Sequence, residues 1–393
     1  MRIFIIHNFY QHAGGEDTVF HQEVRELSKQ HEVEVFTCKN SKGWKGILQY
    51  GCYPWNVFVS TQISKRVRQF RPDVVHIHNM HYALGPWIIR TLHQLGAPIV
   101  LTLHNYRLLC PSATLFFRGK LFKNSIHEDF PWTAVKNRVL EGSFVKTLIT
   151  GLTYWFHRKI GTWNMVESFI VLSDFAKHMF TTSTFPVPAT RFVVKSNAVD
   201  VMPVSEKRED QFVYIGRLSE EKGILPLLEA FADLQANIDV FGLGPQQNQV
   251  ETLAQQHPNI HYKGFQNKEI LSRALASANA LLVPSVCYEG MPMTIIEAYG
   301  YGTPVLASNI GILSEMVVPL FTGLHFDPYS PGSIKETVLA WENLDRSQKE
   351  QIYRNCREEY VKQYTIPENI EKLAIIYRQA IAKQGDYGNN SNG

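Results

Sequence analysis

Short apolar runs alternate with amphipathic stretches along this chain, and the alternation occurs twice. In the first half the apolar runs are residues 2–6, 33–37, 74–77, 99–103 and 169–172. Helical periodicity fills residues 16–31 and 84–95, and Ser173 is an N-cap for a helix starting at Asp174. In the second half the runs are 212–215, 238–241, 260–262, 280–283 and 305–307, with helical stretches at 222–234, 246–257, 268–277 and 292–300. Such alternation predicts right-handed βαβ units and parallel sheets covered on both faces. It also places ligands at the carboxyl ends of the strands. The polar, aperiodic stretch Asp200–Asp210 is the expected linker. We therefore expect an α/β protein of two Rossmann-like domains, residues 1–200 and 201–365. A helix over 366–384 should return to the first domain, and the Gly- and Asn-rich residues 385–393 should form a flexible tail.

Composition removes several function classes. The five cysteines, Cys38, Cys52, Cys110, Cys287 and Cys356, show no C-x-x-C spacing. They suggest neither a zinc site nor a disulfide framework, and a reducing cytoplasm is the natural setting. The net charge of +3 argues against a protein whose whole surface clamps nucleic acid. The first apolar run turns polar at His7 and Asn8, and residues 87–103 are broken by Arg90, His93 and Gln94. Neither a leader nor a membrane span is expected, so the chain should be soluble or lie on a membrane surface.

The +3 conceals an asymmetry. Residues 1–200 carry 23 Lys or Arg against 13 Asp or Glu, a net +10, and the remainder carries −7. Residues 107–163 hold nine basic and three acidic side chains together with ten aromatics. That mixture suits the headgroup region of an anionic membrane. The alternative is a basic face whose aromatics are buried in a helical pair.

Several segments carry candidate chemistry. Glu289 and Glu297 bracket a turn and helix start, Gly290-Met291-Pro292, that follows an apolar run. Amides at a helix start bind anions, and flanking carboxylates accept hydrogen bonds from sugar hydroxyls. Arg217 and Lys222 lie just beyond another strand, in Y-I-G-R-L-S-E-E-K-G. Gly14 and Gly15 follow the first strand, permit close approach of a ligand and precede Glu16 and Asp17. Either carboxylate can face the cleft. His104 ends the strand at 99–103, and His76 and His78 form an H-x-H. We assign the latter pair to the core and the cleft respectively rather than to a metal.

The run from Glu289 to Ser308, E-x7-E followed by G-T-P-V-L-A-S, resembles the family 4 retaining glycosyltransferases. So do G-R-L…K-G at Arg217 to Gly223 and the glycine pair at Gly14 and Gly15. S-N-A-V-D at 196–200 resembles the family's N-G-V-D, with Ala198 in place of glycine. The resemblance implies the GT-B architecture, two facing Rossmann-like domains with a deep interdomain cleft. It implies that Glu289 contacts donor sugar hydroxyls and Glu297 the nucleotide ribose. Amides near Gly290 and Met291 would then hold the sugar–phosphate. It further implies that Arg217 and Lys222 stabilise a departing diphosphate, that His104 touches the reacting sugar, and that no cofactor or catalytic metal is needed. The expected partners are a UDP- or GDP-linked sugar, a glycan or polyprenyl-diphosphate-linked acceptor, and an anionic inner-leaflet surface. A nucleotide-sugar epimerase on the same fold, or a non-catalytic glycan-binding protein, is the alternative.

Overall fold

The computed structural model describes residues 1–11, 14–202 and 207–390. It divides into two compact units. One comprises residues 1–114, 123–197 and 367–393, the other residues 115–122 and 198–366.

In the first unit six parallel strands form one sheet. They are β1 (Arg2–Phe9), β2 (Glu32–Lys39), β3 (Val74–Ile77), β4 (Ile99–Leu103), and, beyond the short hairpin of β5 (Phe116–Phe117) and β6 (Lys120–Leu121), β7 (Ser168–Val171) and β8 (Phe192–Val194). Their order is β2-β1-β3-β4-β7-β8. All residues of β3, β4 and β7 are buried, as expected of strands covered on both faces. The covering helices are α1 (Gly15–Leu27), α2 (Gly43–Cys52), α3 (Val57–Phe70), α4 (Trp87–Gln94), α5 (Trp132–Asn137), α6 (Phe144–Lys159) and α7 (Asp174–Thr181). Helix α4 starts later than the periodicity suggests because Gly85 holds a left-handed φ of 77° and Pro86 follows it.

The second unit repeats the plan. Its strands are β9 (Gln211–Ile215), β10 (Asn237–Phe241), β11 (Ile260–Gly264), β12 (Ala280–Val283), β13 (Val305–Ser308) and β14 (Gly323–Phe326), all parallel. The order β11-β10-β9-β12-β13-β14 is the 3-2-1-4-5-6 order of dinucleotide-binding sheets. Helices α8 (Ile224–Ala232), α9 (Gln247–Gln256), α10 (Lys268–Ser277), α11 (Met293–Gly300), α12 (Gly311–Met316), α13 (Pro331–Glu342) and α14 (Arg346–Gln363) surround it. Phe212, Phe231, Leu281, Ile295, Trp341 and Cys356 are fully buried in its core.

The last helix, α15 (Ile366–Asn390), belongs to the first unit's core. Leu373, Ile376, Tyr377 and Ala380 recur at helical spacing and pack with Ile3, Ile5, Val74 and Val100. Two features differ from the expectations above. Residues 115–122 fall inside the span expected for the first domain yet group with the second unit. The backbone of residues 385–390 continues α15 where a tail was expected, while 391–393 lie outside the described residues. The linker expectation falls partly outside them too, at residues 203–206.

Candidate active site

Each sheet reverses direction of winding once, and each set of candidate residues sits at that reversal. In the second unit the reversal lies between β9 and β12. The Arg217 segment leaves the end of β9 and the Glu289 loop leaves the end of β12. Such a switch point opens a crevice beyond the strand ends.

Lys222 closes a short 3₁₀ turn, Glu220–Lys222. Its Nζ lies 2.5 Å from Glu289 Oε1, and the Ser285 hydroxyl donates to the same oxygen at 2.5 Å. Burial opposes the charge on Lys222, but the Glu289 carboxylate outweighs it and raises the lysine pKa. Gly223 fixes this arrangement. Its φ is +68°, and a Cβ there would stand 2.0 Å from the Pro284 carbonyl oxygen. The amide of Val286 also donates to the Glu221 carbonyl at 3.0 Å, so the lysine turn is tied to the glutamate loop.

Arg217 is exposed, and its carbonyl accepts a hydrogen bond from the Tyr214 hydroxyl at 2.8 Å. Its guanidinium makes no ion pair among the described residues. Gly290, Met291 and Pro292 form the turn into α11, with Pro292 extended at the cap. The first amides of a helix have no partner within it, so this turn can receive an anion. Glu297, half-buried on α11, has its pKa raised by burial, against the pull of Lys268. The structure thus joins Lys222, Ser285 and Glu289 directly, and places Arg217 and Glu297 on flanking segments without bonding them to that cluster.

In the first unit the reversal lies between β1 and β3. Gly14 caps α1 in extended conformation, its amide donates to Asp17 Oδ2 at 3.0 Å, and Gly15 is the first helical residue. His12 and Ala13 of the same loop lie outside the described residues. Asp17 turns inward, its Oδ1 lying 2.8 Å from His7 Nε2. Glu16 does not. Its Oε1 accepts from Asn79 Nδ2 at 2.8 Å, and it lines a cavity with Tyr10, His104, Asn105 and Arg107. Burial and the neighbouring Asp17 push the Glu16 carboxyl up to about 8, against the pull of Arg107 and Asn79.

His104 follows β4 and stacks on His78, with 3.2 Å between His104 Nε2 and His78 Nδ1. Behind His78 stands Glu23, whose Oε2 is 3.3 Å from His78 Nε2. The other Glu23 oxygen pairs with Lys195 Nζ at 2.8 Å, both side chains being only 3% exposed. Burial works against ionised Glu23, but Lys195 and the histidines hold its pKa well below the usual range. One ring donates and the other accepts across the 3.2 Å between His78 Nδ1 and His104 Nε2. Burial, reinforced by His78, keeps His104 from protonating. His76 is fully buried between the Tyr377 hydroxyl and the Thr102 hydroxyl, both at 2.7 Å.

Among the described residues, two groups have ligand atoms close enough for a cation, Glu23 with His76 and His78, and His7 with Glu16 and Asp17. In the first, the His76 nitrogens are both engaged and an ammonium already occupies Glu23. In the second, Asp17 holds His7 and the α1 cap.

The aromatics of the basic segment 107–163 are part buried and part exposed. Phe122, Tyr154 and Trp163 are buried, and of its ten aromatics only Trp132 and Phe144 are exposed. Sequence reasoning missed Ser285, the inward role of Asp17 and the Glu23–Lys195 pair. One local signal existed for Glu23, an acidic residue in the buried stripe Val19, Phe20, Glu23, Leu27.

Two parallel sheets, the second with dinucleotide-binding order, and a cation–carboxylate cluster at its switch point define a GT-B-type α/β protein. Sequence profiles agree: residues 13–202 match Glycosyltransferase Family 4 and residues 201–359 match Glycosyl transferases group 1. The chain belongs to this family of group 1 glycosyltransferases. It is 24% identical over 195 residues to the putative colanic acid biosynthesis glycosyltransferase WcaL of Salmonella typhimurium, covering 46% of this chain and 47% of that protein. Its fold matches sucrose-phosphate synthase of Thermosynechococcus elongatus with a TM-score of 0.73, at 18% identity over 97% of this chain and 99% of the other. It also matches Anabaena HepE in complex with UDP, with a TM-score of 0.67 at 16% identity over 95% and 98%.

Proposed function

We propose that the protein transfers a sugar from a nucleoside-diphosphate sugar to a hydroxyl of a glycan acceptor, with retention at the anomeric carbon and without a metal. The acceptor is a lipid-linked unit of a bacterial surface polysaccharide or exopolysaccharide, met at the cytoplasmic face of the membrane. The Lys222–Glu289–Ser285 cluster at the switch point carries this reading. A glycosyltransferase separates charge as the anomeric carbon–oxygen bond breaks, and negative charge collects on the diphosphate. Fixed cations stabilise it without reorganising. Lys222 and Arg217 take that role, and the α11 amides beside Gly290 and Met291 hold the phosphates. Glu289 accepts from donor hydroxyls and Glu297 from the ribose. His104 touches the reacting sugar, and Gly14, Gly15 and Glu16 border the reacting groups. The acceptor oxygen forms the new bond on the face the diphosphate leaves, and its proton passes to a diphosphate oxygen. WcaL, named for colanic acid biosynthesis, supports the polysaccharide setting, and the HepE complex supports a UDP donor. No helix among the described residues is long and apolar enough to cross a membrane.

The test is a thermal-shift panel of UDP- and GDP-sugars in EDTA, followed by product analysis with the best donor. One donor should raise the melting temperature and yield a glycoside of unchanged anomeric configuration. Arg217→Ala and Lys222→Ala should each lower turnover by about 10²–10³. An epimer accumulating without acceptor, or near-wild-type rates in both variants, rejects the reading.

A further inference from the structure

We propose that the face formed by α2, the turn after it and the start of α3 docks the protein on an anionic lipid bilayer. Trp44, Ile47 and Leu48 lie three and four residues apart on α2 and are 59–74% exposed. Trp55, Val57 and Phe58 continue the apolar surface at 50–75% exposure. The opposite side of α2 is occupied: Gly46 and Tyr50 are buried, and the Tyr50 hydroxyl reaches the Lys146 carbonyl and Thr150 of α6 at 2.5 and 2.6 Å. The helix is therefore anchored without its outer residues. The same anchor brings in the start of α6, where Phe144 and Val145 are also exposed.

Charge identifies the occupant. From Lys39 to Arg71 the chain carries seven Lys or Arg and no Asp or Glu. Lys42 and Lys45 are exposed on either side of Trp44, and Lys65 and Arg68 are exposed further along α3. A protein partner facing an apolar patch of this kind needs a rim of matched, mixed charges. A rim of Lys42, Lys45, Lys65 and Arg68 around Trp, Ile, Leu and Phe, with the Glu141 charge beside Phe144 paired to Lys146, instead matches a laterally extended anionic surface with an apolar layer beneath it. At ten residues α2 is about 15 Å long, so it lies in the interface rather than spanning it. The surface stands on different residues from the donor cluster and is independent of the reaction proposed above.

The experiment is flotation of the full chain with phosphatidylcholine vesicles, with and without a minority of phosphatidylglycerol. Binding should require phosphatidylglycerol, weaken as salt is raised, and shift tryptophan emission to the blue. The triple variant Trp44→Ser, Ile47→Ser, Phe58→Ser should lose roughly a hundredfold in affinity, and Lys42→Glu with Lys45→Glu roughly tenfold. A mutated pair on the other unit, Leu320→Ser with Phe321→Ser, should bind like the wild type. All variants should keep the wild-type melting temperature and its shift with donor. Wild-type protein that stays unbound, or a triple variant that binds normally, overturns the proposal. So does a concentration-dependent dimer that the triple variant dissolves while vesicles remain unbound. Loss of vesicle binding with donor protection intact leaves the transferase reading standing.

Discussion

Glu16 and Asp17 are neighbours with different fates, decided by the first turn of α1. Asp17 faces His7 and the cap, whereas Glu16 faces a cavity with Arg107 and His104. Because the Glu16 carboxyl titrates near 8, it is mostly protonated at neutral pH and loses its proton as pH rises past that value. The profile of kcat/KM against pH should bend near pH 8, and Glu16→Gln should remove the bend. A bend that survives the substitution belongs to another group. The glycine pair and the two carboxylates are legible in the sequence, but their orientation is not. It depends on Asn79 and His7, 63 and 10 residues away, which no local pattern connects to them. Glu23 and Lys195 are harder still, separated by 172 residues. A buried pair of this kind reads in sequence as two ordinary surface charges.

At the scale of elements, the loop from β9 into α8 shows what periodicity can and cannot deliver. Residues 222–234 read as one helix, and the apolar face of α8 is indeed buried through Leu227, Leu228 and Phe231. The helix nevertheless begins at Ile224, because Gly223 must turn left-handed to clear Pro284. Gly223→Ala adds backbone strain of about 1 kcal/mol and a clash with the carbonyl, so the turn has to move and Lys222 with it. We expect a lower melting temperature and a turnover reduced by at least about tenfold. Gly51→Ala in α2, where nothing lies within 4 Å of a new Cβ, should leave turnover intact and gain up to about 1 kcal/mol. Equal effects in the two variants would dismiss the geometric role of Gly223. Parallel strands such as β3, β4 and β12 are legible because burial on both faces makes them continuous apolar runs. The two-residue strands of the β5–β6 hairpin carry no such signal, and only tertiary packing makes them strands.

For the molecule as a whole, titration is unevenly distributed. His7, His76, His81, His104 and His157 of the first unit all have their pKa values lowered, chiefly by burial, whereas His325 is the counterpart in the second. His7 and His157 are held near 4. In the unfolded chain these rings take up protons below about 6.5, and in the folded chain they cannot. Stability is therefore full above that pH and is lost as pH falls toward 4, each such ring costing about 1 kcal/mol by pH 5.5. Calorimetry between pH 7 and 5 should show a falling transition, with hydrogen exchange rising first in the sheet of β1, β3 and β4. Equal loss of protection in both sheets would contradict this. The two-unit plan is legible from repeated alternation, and the sequence reading expects the last helix to return to the first domain; its contribution to that core is the stripe Leu373, Ile376, Tyr377 and Ala380. That contribution bears on how the chain matures as it emerges from a ribosome. Tyr377, whose hydroxyl meets buried His76, is made 301 residues after it. Residues 198–366 are all present before residues 367–380 arrive, so the unit that begins first is completed last. Until then the sheet of β1, β3 and β4 lacks one covering wall, and the apolar side chains Ile3, Ile5, Val74 and Val100 lack their α15 partners.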